Sequence, residues 1–212
     1  MSLTLIHGPA TRSIRARWLL EEMGLAYELK SYDYDGAYFA SDEFRKLSPM
    51  GKLPALYDGD EVIIESTAIL HYLLGRYGPS PLAVPADDPE YSTYLQWLHM
   101  AEGGMANYLA VSFGHSMNSD PYKVSEGFDG YCRYQIEKAY AMLDRQLTGR
   151  DYLLARGFTA ADISLGYTIF FAKALGIRSS EVIDAYFGRL TRRPAAQKAF
   201  SDLPKPFAAL VG

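Results

Sequence analysis

The residues best suited to bind a small molecule lie in two short motifs on either side of a predicted hairpin. The first motif is Gly51-Lys52-Leu53-Pro54-Ala55-Leu56, and the second is Glu65-Ser66-Thr67-Ala68-Ile69. Pro54 stands directly before a predicted strand, and an X–Pro bond in such a turn is a candidate cis bond. A cis bond there would leave the backbone N–H and C=O of Leu53 facing outward, where they can pair with an extended peptide.

The second motif supplies an anion site beside that backbone edge. Ser66 is a good N-cap residue for the helix that follows. The predicted apolar face of this helix contains Ile69, Leu70, Leu73 and Leu74. Because the first N–H groups of a helix attract a carboxylate, a small peptide with a free carboxylate and a thiol would fit both features.

Together, the two motifs at this separation resemble the glutathione-binding signature of the cytosolic glutathione S-transferases of the bacterial or fungal type. The resemblance covers the whole chain and implies a transferase that joins the thiolate of glutathione to a small hydrophobic electrophile. It also implies a cytoplasmic homodimer that uses glutathione as a co-substrate and needs no other cofactor. A glutathione-dependent isomerase, dehalogenase or peroxidase, or a non-catalytic interaction module with this fold, are the open alternatives.

The resemblance implies that Lys52, Leu53, Pro54, Glu65 and Ser66 form the glutathione site, and it gives four of them a direct contact. Leu53, ahead of Pro54, would pair with the cysteinyl backbone of glutathione. Lys52 would reach the glycyl carboxylate, or else it is a solvated lysine of the turn. Glu65 and Ser66 would hold the γ-glutamyl end, with help from the helix dipole.

The thiolate would be stabilised by the segment between the first strand and the first helix. A free thiol has a pKa of about 8.5, and a hydroxyl donor or a nearby cation favours its anion. This segment, residues 7–15, contains no tyrosine and no cysteine, and its hydroxyls belong to Thr11 and Ser13. Arg12 and Arg15 are the nearby cations. The candidate catalytic residues are therefore Thr11, Ser13 and Arg15.

Each of these candidates also has a purely structural alternative. Either hydroxyl could cap the first helix, and Arg15 could pair with Glu21 or Glu22 on the helix surface. His7, which ends the first strand, is expected to be structural rather than a base.

The apolar part of the substrate is expected on the first helix of the second half of the chain. Met105, Tyr108, Leu109 and Phe113 could line an apolar pocket, as binding clefts usually do, or could equally belong to the core or to a dimer contact. Glu102 on the same helix is a charge in an apolar setting. The resemblance suggests that it approaches the γ-glutamyl ammonium of the neighbouring subunit.

Periodicity and turn signals predict the elements that would position these residues. Residues 1–78 predict the order strand–helix–strand–helix–strand–strand–helix, which matches a thioredoxin-like α/β domain. The proline-rich residues 79–90 predict a stiff linker. Residues 91–212 carry helical patterns alone, so the fold class is α/β plus all-α, with an all-helical C-terminal domain. Thr159 and Asp162 form a predicted capping box, whose loss by Asp162→Ala should cost on the order of 1–2 kcal/mol.

Composition argues against several other classes of function. The net charge of −4 gives no electrostatic basis for binding nucleic acid or an anionic membrane. No apolar run approaches the roughly 20 residues of a membrane-spanning helix, and the N-terminus shows no secretory signal. The single cysteine, Cys132, rules out an intrachain disulfide and fits a reducing compartment. The sequence has no Cys/His cluster with zinc spacing, so no metal site is expected.

Overall fold

The computed structural model describes residues 2–33, 35–116 and 124–211. The chain forms two compact units, one from residues 1–83 and 191–212 and the other from residues 84–190. The boundary between them at Ala83 falls inside the predicted linker. The division differs from the predicted domains at the C-terminus, where residues 191–212 group with the first unit. Among the described residues, none of the helices has the length and apolar character that crossing a membrane would need.

The first unit contains a four-stranded mixed sheet. Its strands are β1 (Leu3–His7), β2 (Tyr27–Ser31), β3 (Ala55–Asp58) and β4 (Glu61–Ile64). Their order in the sheet is β2-β1-β3-β4. Strand β1 runs parallel to β2, with Leu3 opposite Tyr27, and antiparallel to β3, with Leu5 opposite Leu56. The predicted order of strands, and with it the α/β character of this half, is confirmed.

Helices make up most of the remaining chain. In order they are α1 (Ser13–Glu22), α2 (Gly36–Phe39), α3 (Asp42–Leu47), α4 (Ser66–Arg76), α5 (Tyr91–His99), a π-helical segment (Met100–Ala106), α6 (Asn107–Ser116), α7 (Glu126–Leu147), α8 (Ala160–Ala174), α9 (Glu181–Thr191), α10 (Pro194–Ala199) and α11 (Lys205–Ala208). The short helices α2 and α11 were not predicted, because four residues are too few to show a periodic pattern.

The buried helix α1 is central to the first unit and packs against β1, α4 and α10. Its Trp18 is fully buried and meets the Phe200 ring edge-on, with 5.8 Å between the centroids. Arg193 forms a two-pronged ion pair with Glu22 at 2.6 and 2.7 Å. These contacts hold the C-terminal residues against the element that carries the predicted thiol loop.

One buried cluster on the sheet anchors the turn before β3. Ile6, Phe44 and Ala55 form its centre, and Leu53 and Ile64 are among the partly buried side chains packed against it. A residue whose side chain is embedded in a core holds its backbone in a fixed place. The core therefore fixes the position of Leu53.

Asp58 at the end of β3 accepts hydrogen bonds from two tyrosine hydroxyls, that of Tyr72 at 2.8 Å and that of Tyr77 at 2.6 Å. We call these three residues the Asp58 cluster. The bonds from Tyr77 and Tyr72 hold the pKa of Asp58 below its ordinary value. The same interaction, together with burial, raises the pKa of Tyr72 to about 12. The cluster joins α4 to the sheet.

The second unit is helical, as expected, but its first helix is interrupted. The sequence predicts one helix from Tyr91 to about Val111, and the structure has α5, the π-helical segment and α6 over that stretch. Gly103 and Gly104 lie in the interruption, and glycine is a poor helix former. At Gly104 a Cβ atom would lie 2.1 Å from the sulfur of Met100, so a larger residue there would force the Met100 side chain to move.

The predicted capping box at the start of α8 is present. The buried Asp162 carboxylate accepts hydrogen bonds from the N–H of Thr159 at 2.8 Å, the N–H of Leu153 at 3.0 Å and the hydroxyl of Tyr186 at 2.8 Å. Complete burial raises the pKa of Asp162, although these bonds oppose the shift. The carboxylate thus ties three segments of the second unit together, which is more than a cap alone would do.

Candidate functional site

The turn before β3 has the geometry that the first motif predicts. The Leu53–Pro54 peptide bond is cis. The Ser48 hydroxyl donates to the carbonyl of Lys52 at 2.5 Å, and Gly51 adopts a left-handed φ of +64°. Pro54 is buried, Leu53 is half-buried and Lys52 is exposed. The prediction of a cis bond is confirmed, and the Lys52 side chain is accessible to a ligand.

The start of α4 differs from the prediction in one respect. The N-cap residue is Glu65, which is exposed and has φ +71°, and Ser66 is the first helical residue. The predicted N-cap role of Ser66 is therefore wrong. Ser66 is buried, and its hydroxyl accepts a hydrogen bond from Nη1 of Arg15 at 2.9 Å. The first intrahelical bond runs from Ile69 to Glu65, so the N–H groups before Ile69 have no acceptor within the helix.

Arg15 occupies a different place from the one expected. Its side chain is fully buried, which excludes the predicted surface pair with Glu21 or Glu22. Its contact with Ser66 places a guanidinium beside the N-terminus of α4. A buried cation there adds to the positive end of the helix dipole, so it favours an anion at this helix start. This contact gives Arg15 a second candidate role, the support of a carboxylate at α4, while its predicted role at the sulfur stays a prediction.

The two candidate hydroxyls are hydrogen-bonded to each other, with 2.6 Å between Thr11 Oγ1 and Ser13 Oγ. The N-cap residue of α1 is Arg12, which has no side-chain cap. Thr11 Oγ1 accepts from the N–H of Ser13, the first residue of α1, at 3.3 Å, so the structural alternative holds for Thr11 in part. Ser13 is fully buried and also contacts the N–H of Gly8 at 3.1 Å and Nδ1 of His7 at 2.8 Å. Thr11 is half-buried. Of the two, Thr11 is therefore the more exposed residue, and its role at the sulfur stays a prediction.

The thiol loop and the Leu53 turn are in direct contact at Gly8. A Cβ atom on Gly8 would lie 2.6 Å from Cδ1 of Leu53 and 3.0 Å from the carbonyl oxygen of Tyr32. It would also lie 3.4 Å from Cγ2 of Thr11. The close approach favours glycine at this position, and it brings the side chains of Thr11 and Leu53 to the same part of the first unit.

Backbone strain occurs in both loops of the candidate site. Among the residues that the structure describes, two that are not glycine have a positive φ, Ala10 at +60° and Glu65 at +71°. Such conformations cost free energy and persist where the surrounding structure enforces them, often at ligand sites. Ala10 directly precedes Thr11, and Glu65 directly precedes Ser66. The two strained residues therefore lie in the predicted thiol loop and at the start of the second motif.

Sequence reasoning missed the residues behind the thiol loop. Nε2 of the fully buried His7 lies 3.1 Å from Oδ2 of Asp202, and Nη1 of Arg17 lies 2.8 Å from the same oxygen. Burial raises the pKa of Asp202, but its hydrogen bond with His7 and its electrostatic interactions with His7 and Arg17 outweigh burial, so the pKa lies below its ordinary value. His7 and Asp202 are so far apart in sequence that no local pattern connects them.

The residues predicted to bind the apolar substrate differ in exposure. Met105 and Leu109 are fully buried, which favours the alternative that they belong to the core. Tyr108 is half-buried, and Phe113 is 40% exposed. Glu102 is half-buried in the π-helical segment. Its contact with a neighbouring subunit stays a prediction.

Comparison with known proteins bears on the family of the chain. The model of the glutathione S-transferase N-terminal domain matches residues 1–75, and that of the glutathione S-transferase C-terminal domain matches residues 125–196. Glutathione S-transferase 3 of Schizosaccharomyces pombe is 32% identical over 210 residues, which cover 93% of this chain and 86% of that protein. The chain belongs to the glutathione S-transferase family. The family and the fold class predicted from the two motifs are confirmed.

Solved structures of glutathione S-transferases agree with this assignment. A glutathione transferase from Pseudomonas putida, solved with one glutathione disulfide per subunit, is 25% identical with a TM-score of 0.77; the match covers 95% of this chain and 91% of that one. A homologue from Lodderomyces elongisporus, solved with two glutathione molecules per subunit, has a TM-score of 0.84 at 21% identity, covering 96% and 100%. The second likeness concerns the fold alone.

Proposed function

We propose that this glutathione S-transferase binds glutathione on its first unit and joins the sulfur to an electrophilic carbon of a small hydrophobic compound. The observation that carries the proposal is the 2.9 Å hydrogen bond from Arg15 to Ser66, which joins the helix after the thiol loop to the start of α4. Each of the two loops so joined contains a strained residue, Ala10 beside Thr11 and Glu65 beside Ser66. The glutathione disulfide in the Pseudomonas putida relative supports a glutathione ligand.

Each part of glutathione has a partner in this arrangement. The backbone of Leu53, held by the core and by the cis bond to Pro54, pairs with the cysteinyl unit as a neighbouring strand would. The exposed Lys52 contacts the glycyl carboxylate. The γ-glutamyl carboxylate lies at the first N–H groups of α4, where Ser66 begins the helix, and Glu65 contacts the γ-glutamyl ammonium.

The chemical role of the protein is to favour the thiolate and to orient it. Thr11 donates a hydrogen bond to the sulfur, which favours the anion over the thiol. The thiolate attacks the electrophilic carbon, so a carbon–sulfur bond forms and the electrophile releases a leaving group or takes up the electron pair. Ser13, being buried, contacts Thr11 and not the substrate.

The partner and cellular context proposed here follow from the family. The active form is a cytoplasmic homodimer in which Glu102 approaches the glutathione of the neighbouring subunit. Tyr108 and Phe113, the more exposed of the predicted apolar residues, contact the electrophile. No resident cofactor is required.

Thermal unfolding with increasing glutathione tests the binding part of the proposal. A ligand at 100 times its Kd stabilises the native state by about 2.7 kcal/mol, which for a chain of this size raises Tm by roughly 5–10 °C. No rise at millimolar glutathione would contradict the proposal. Turnover of a panel of aryl halides, epoxides and peroxides then separates conjugation from the alternatives. Binding without turnover of any of them would favour a non-catalytic module of the same fold.

A further inference from the structure

We propose that the proton lost by the bound glutathione thiol is retained by the protein on His7, which it reaches through the hydroxyls of Thr11 and Ser13. Asp202 is the positioning residue that holds the His7 ring for this transfer. The inference rests on the proposed function, because it requires the glutathione sulfur to lie at Thr11. We call the four side chains, Thr11, Ser13, His7 and Asp202, the relay.

The relay is a continuous chain of hydrogen bonds that runs from the half-buried loop into the core. The distances are 2.6 Å from Thr11 Oγ1 to Ser13 Oγ, 2.8 Å from Ser13 Oγ to His7 Nδ1, and 3.1 Å from His7 Nε2 to Asp202 Oδ2. All three lie within the normal range for hydrogen bonds. Ser13 and His7 are fully buried, so solvent does not reach the middle of the relay.

The surroundings of His7 determine which ring nitrogen is available. The charged groups that contact the ring are Asp202 and Arg17. Nη1 of Arg17 is 3.5 Å from Nε2 but 2.8 Å from the Asp202 carboxylate, so Arg17 pairs with the carboxylate. A carboxylate that accepts from Nε2–H leaves Nδ1 as the acceptor, and Nδ1 faces Ser13.

Proton transfer along the relay is balanced at every atom. The thiol gives its proton to Thr11 Oγ1, the Thr11 hydroxyl gives its own proton to Ser13 Oγ, and Ser13 gives its proton to Nδ1 of His7. One S–H bond breaks and one N–H bond forms, while each hydroxyl loses one proton and gains another. The products are a thiolate and an imidazolium whose charge faces the Asp202 carboxylate.

The same transfer leaves both hydroxyls oriented to stabilise the thiolate. Afterwards His7 donates to Ser13, Ser13 donates to Thr11, and Thr11 donates to the sulfur. Before glutathione binds, the carbonyl of Gly8 is an alternative acceptor for the same two protons, at 2.8 Å from Thr11 and 3.2 Å from Ser13, so the relay forms when both hydroxyls turn away from it. A simple hydrogen-bond donor at Thr11 would instead leave the thiol proton to be released into solvent.

Proton release on binding distinguishes these two mechanisms. Glutathione binding is measured by calorimetry near pH 7.5 in buffers of different ionisation enthalpy, and the ultraviolet absorbance of the thiolate is recorded in parallel. S-methylglutathione, which has no thiol proton, is the reference ligand. With the relay intact, the thiolate absorbance appears and glutathione releases no more protons than S-methylglutathione does.

Variants of the relay give the complementary result. In Ser13→Ala the path is broken, so any thiolate that forms releases one proton per glutathione bound. In Asp202→Asn the ring loses its anionic partner, and the ratio of bound thiolate to thiol falls by about tenfold at fixed pH. Because Asp202 is 29% exposed, this variant carries the test if Ser13→Ala does not fold. Ser201→Ala is the matched control, since Ser201 contacts Arg17 at 3.2 Å and lies outside the relay.

Each outcome bears on one of the two proposals. If the unaltered protein releases one more proton with glutathione than with S-methylglutathione, the relay is overturned and the transferase proposal stands. Glutathione binding without a thiolate signal has the same two consequences. An unchanged thiolate ratio in Asp202→Asn also contradicts the relay. Failure of both glutathione and S-methylglutathione to bind contradicts the proposed function itself.

Discussion

Replacing Thr11 by valine should remove the hydrogen bond to the glutathione sulfur while leaving the shape of the loop intact. A hydrogen bond to a charged group contributes about 1.5–3 kcal/mol, which corresponds to a rise of roughly one to two units in the pKa of the bound thiol. At neutral pH, kcat/KM for conjugation should therefore fall by about 10- to 100-fold.

The structure also sets the cost of this substitution to folding. Thr11 Oγ1 contacts the carbonyl of Gly8 at 2.8 Å and the Ser13 hydroxyl at 2.6 Å, and valine makes neither contact. Two such hydrogen bonds contribute about 1–3 kcal/mol together, or a fall in Tm of roughly 2–12 °C. Activity is therefore measured well below the Tm of the variant.

The assay is a pH titration of bound glutathione, followed by the absorbance of its thiolate and by kcat/KM with one reactive electrophile. Thr11→Ser is the matched control, because it keeps the hydroxyl and loses a methyl group; its thiol pKa should stay close to that of the unaltered protein. If Thr11→Val and the unaltered protein share the same thiol pKa and kcat/KM, the assignment of Thr11 to the sulfur is refuted.

Four further predictions, made with five substitutions, test the surrounding structure. Arg15→Met removes the buried cation at the start of α4 and should raise the Kd of glutathione by about tenfold in calorimetry; an unchanged Kd would contradict the second candidate role of Arg15. Gly8→Ala places a Cβ 2.6 Å from a neighbouring side chain and should lower the free energy of unfolding by about 1–3 kcal/mol. Gly75→Ala is the contrasting case, because a Cβ there meets nothing within 4 Å, and it should raise the free energy of unfolding by up to about 1 kcal/mol. Asp162→Ala leaves several buried donors without an acceptor and should cost about 3–5 kcal/mol in urea unfolding, above the value expected for a cap alone. The folded pKa of Asp58 is below its ordinary value, so its contribution to the free energy of unfolding is present above about pH 4 and is lost as pH falls through the folded pKa. In Asp58→Asn, the free energy of unfolding should therefore fall less steeply with decreasing pH. An unchanged pH dependence at acid pH would contradict this.

The binding motifs and the elements around them could be predicted because their signals are local. The turn at Pro54, the two short strands and the helix after Glu65 each follow from a few adjacent residues. The sequence predicts Ser66 as the N-cap of α4, and the structure has the N-cap one residue earlier, at Glu65. Glu65 has a left-handed φ and begins the helix without a side-chain cap. Propensity alone favours serine at that position.

The inner part of the thiol site could not be predicted, because it depends on contacts between distant parts of the chain. His7 meets Asp202 only because the C-terminal residues pack against α1. Arg15 was expected near the sulfur on the basis of sequence distance, but its buried side chain extends to Ser66. Likewise, Met105 and Leu109 have the same apolar character whether they line a pocket or fill a core, and only their burial separates the two.

A crystal structure of the protein with glutathione bound tests the central claim most directly. We predict that the sulfur lies within hydrogen-bonding distance of Thr11 Oγ1 and that the cysteinyl backbone pairs with Leu53. We also predict that the γ-glutamyl carboxylate lies at the first N–H groups of α4. A sulfur placed away from Thr11, or a tripeptide bound elsewhere on the chain, would contradict the central claim.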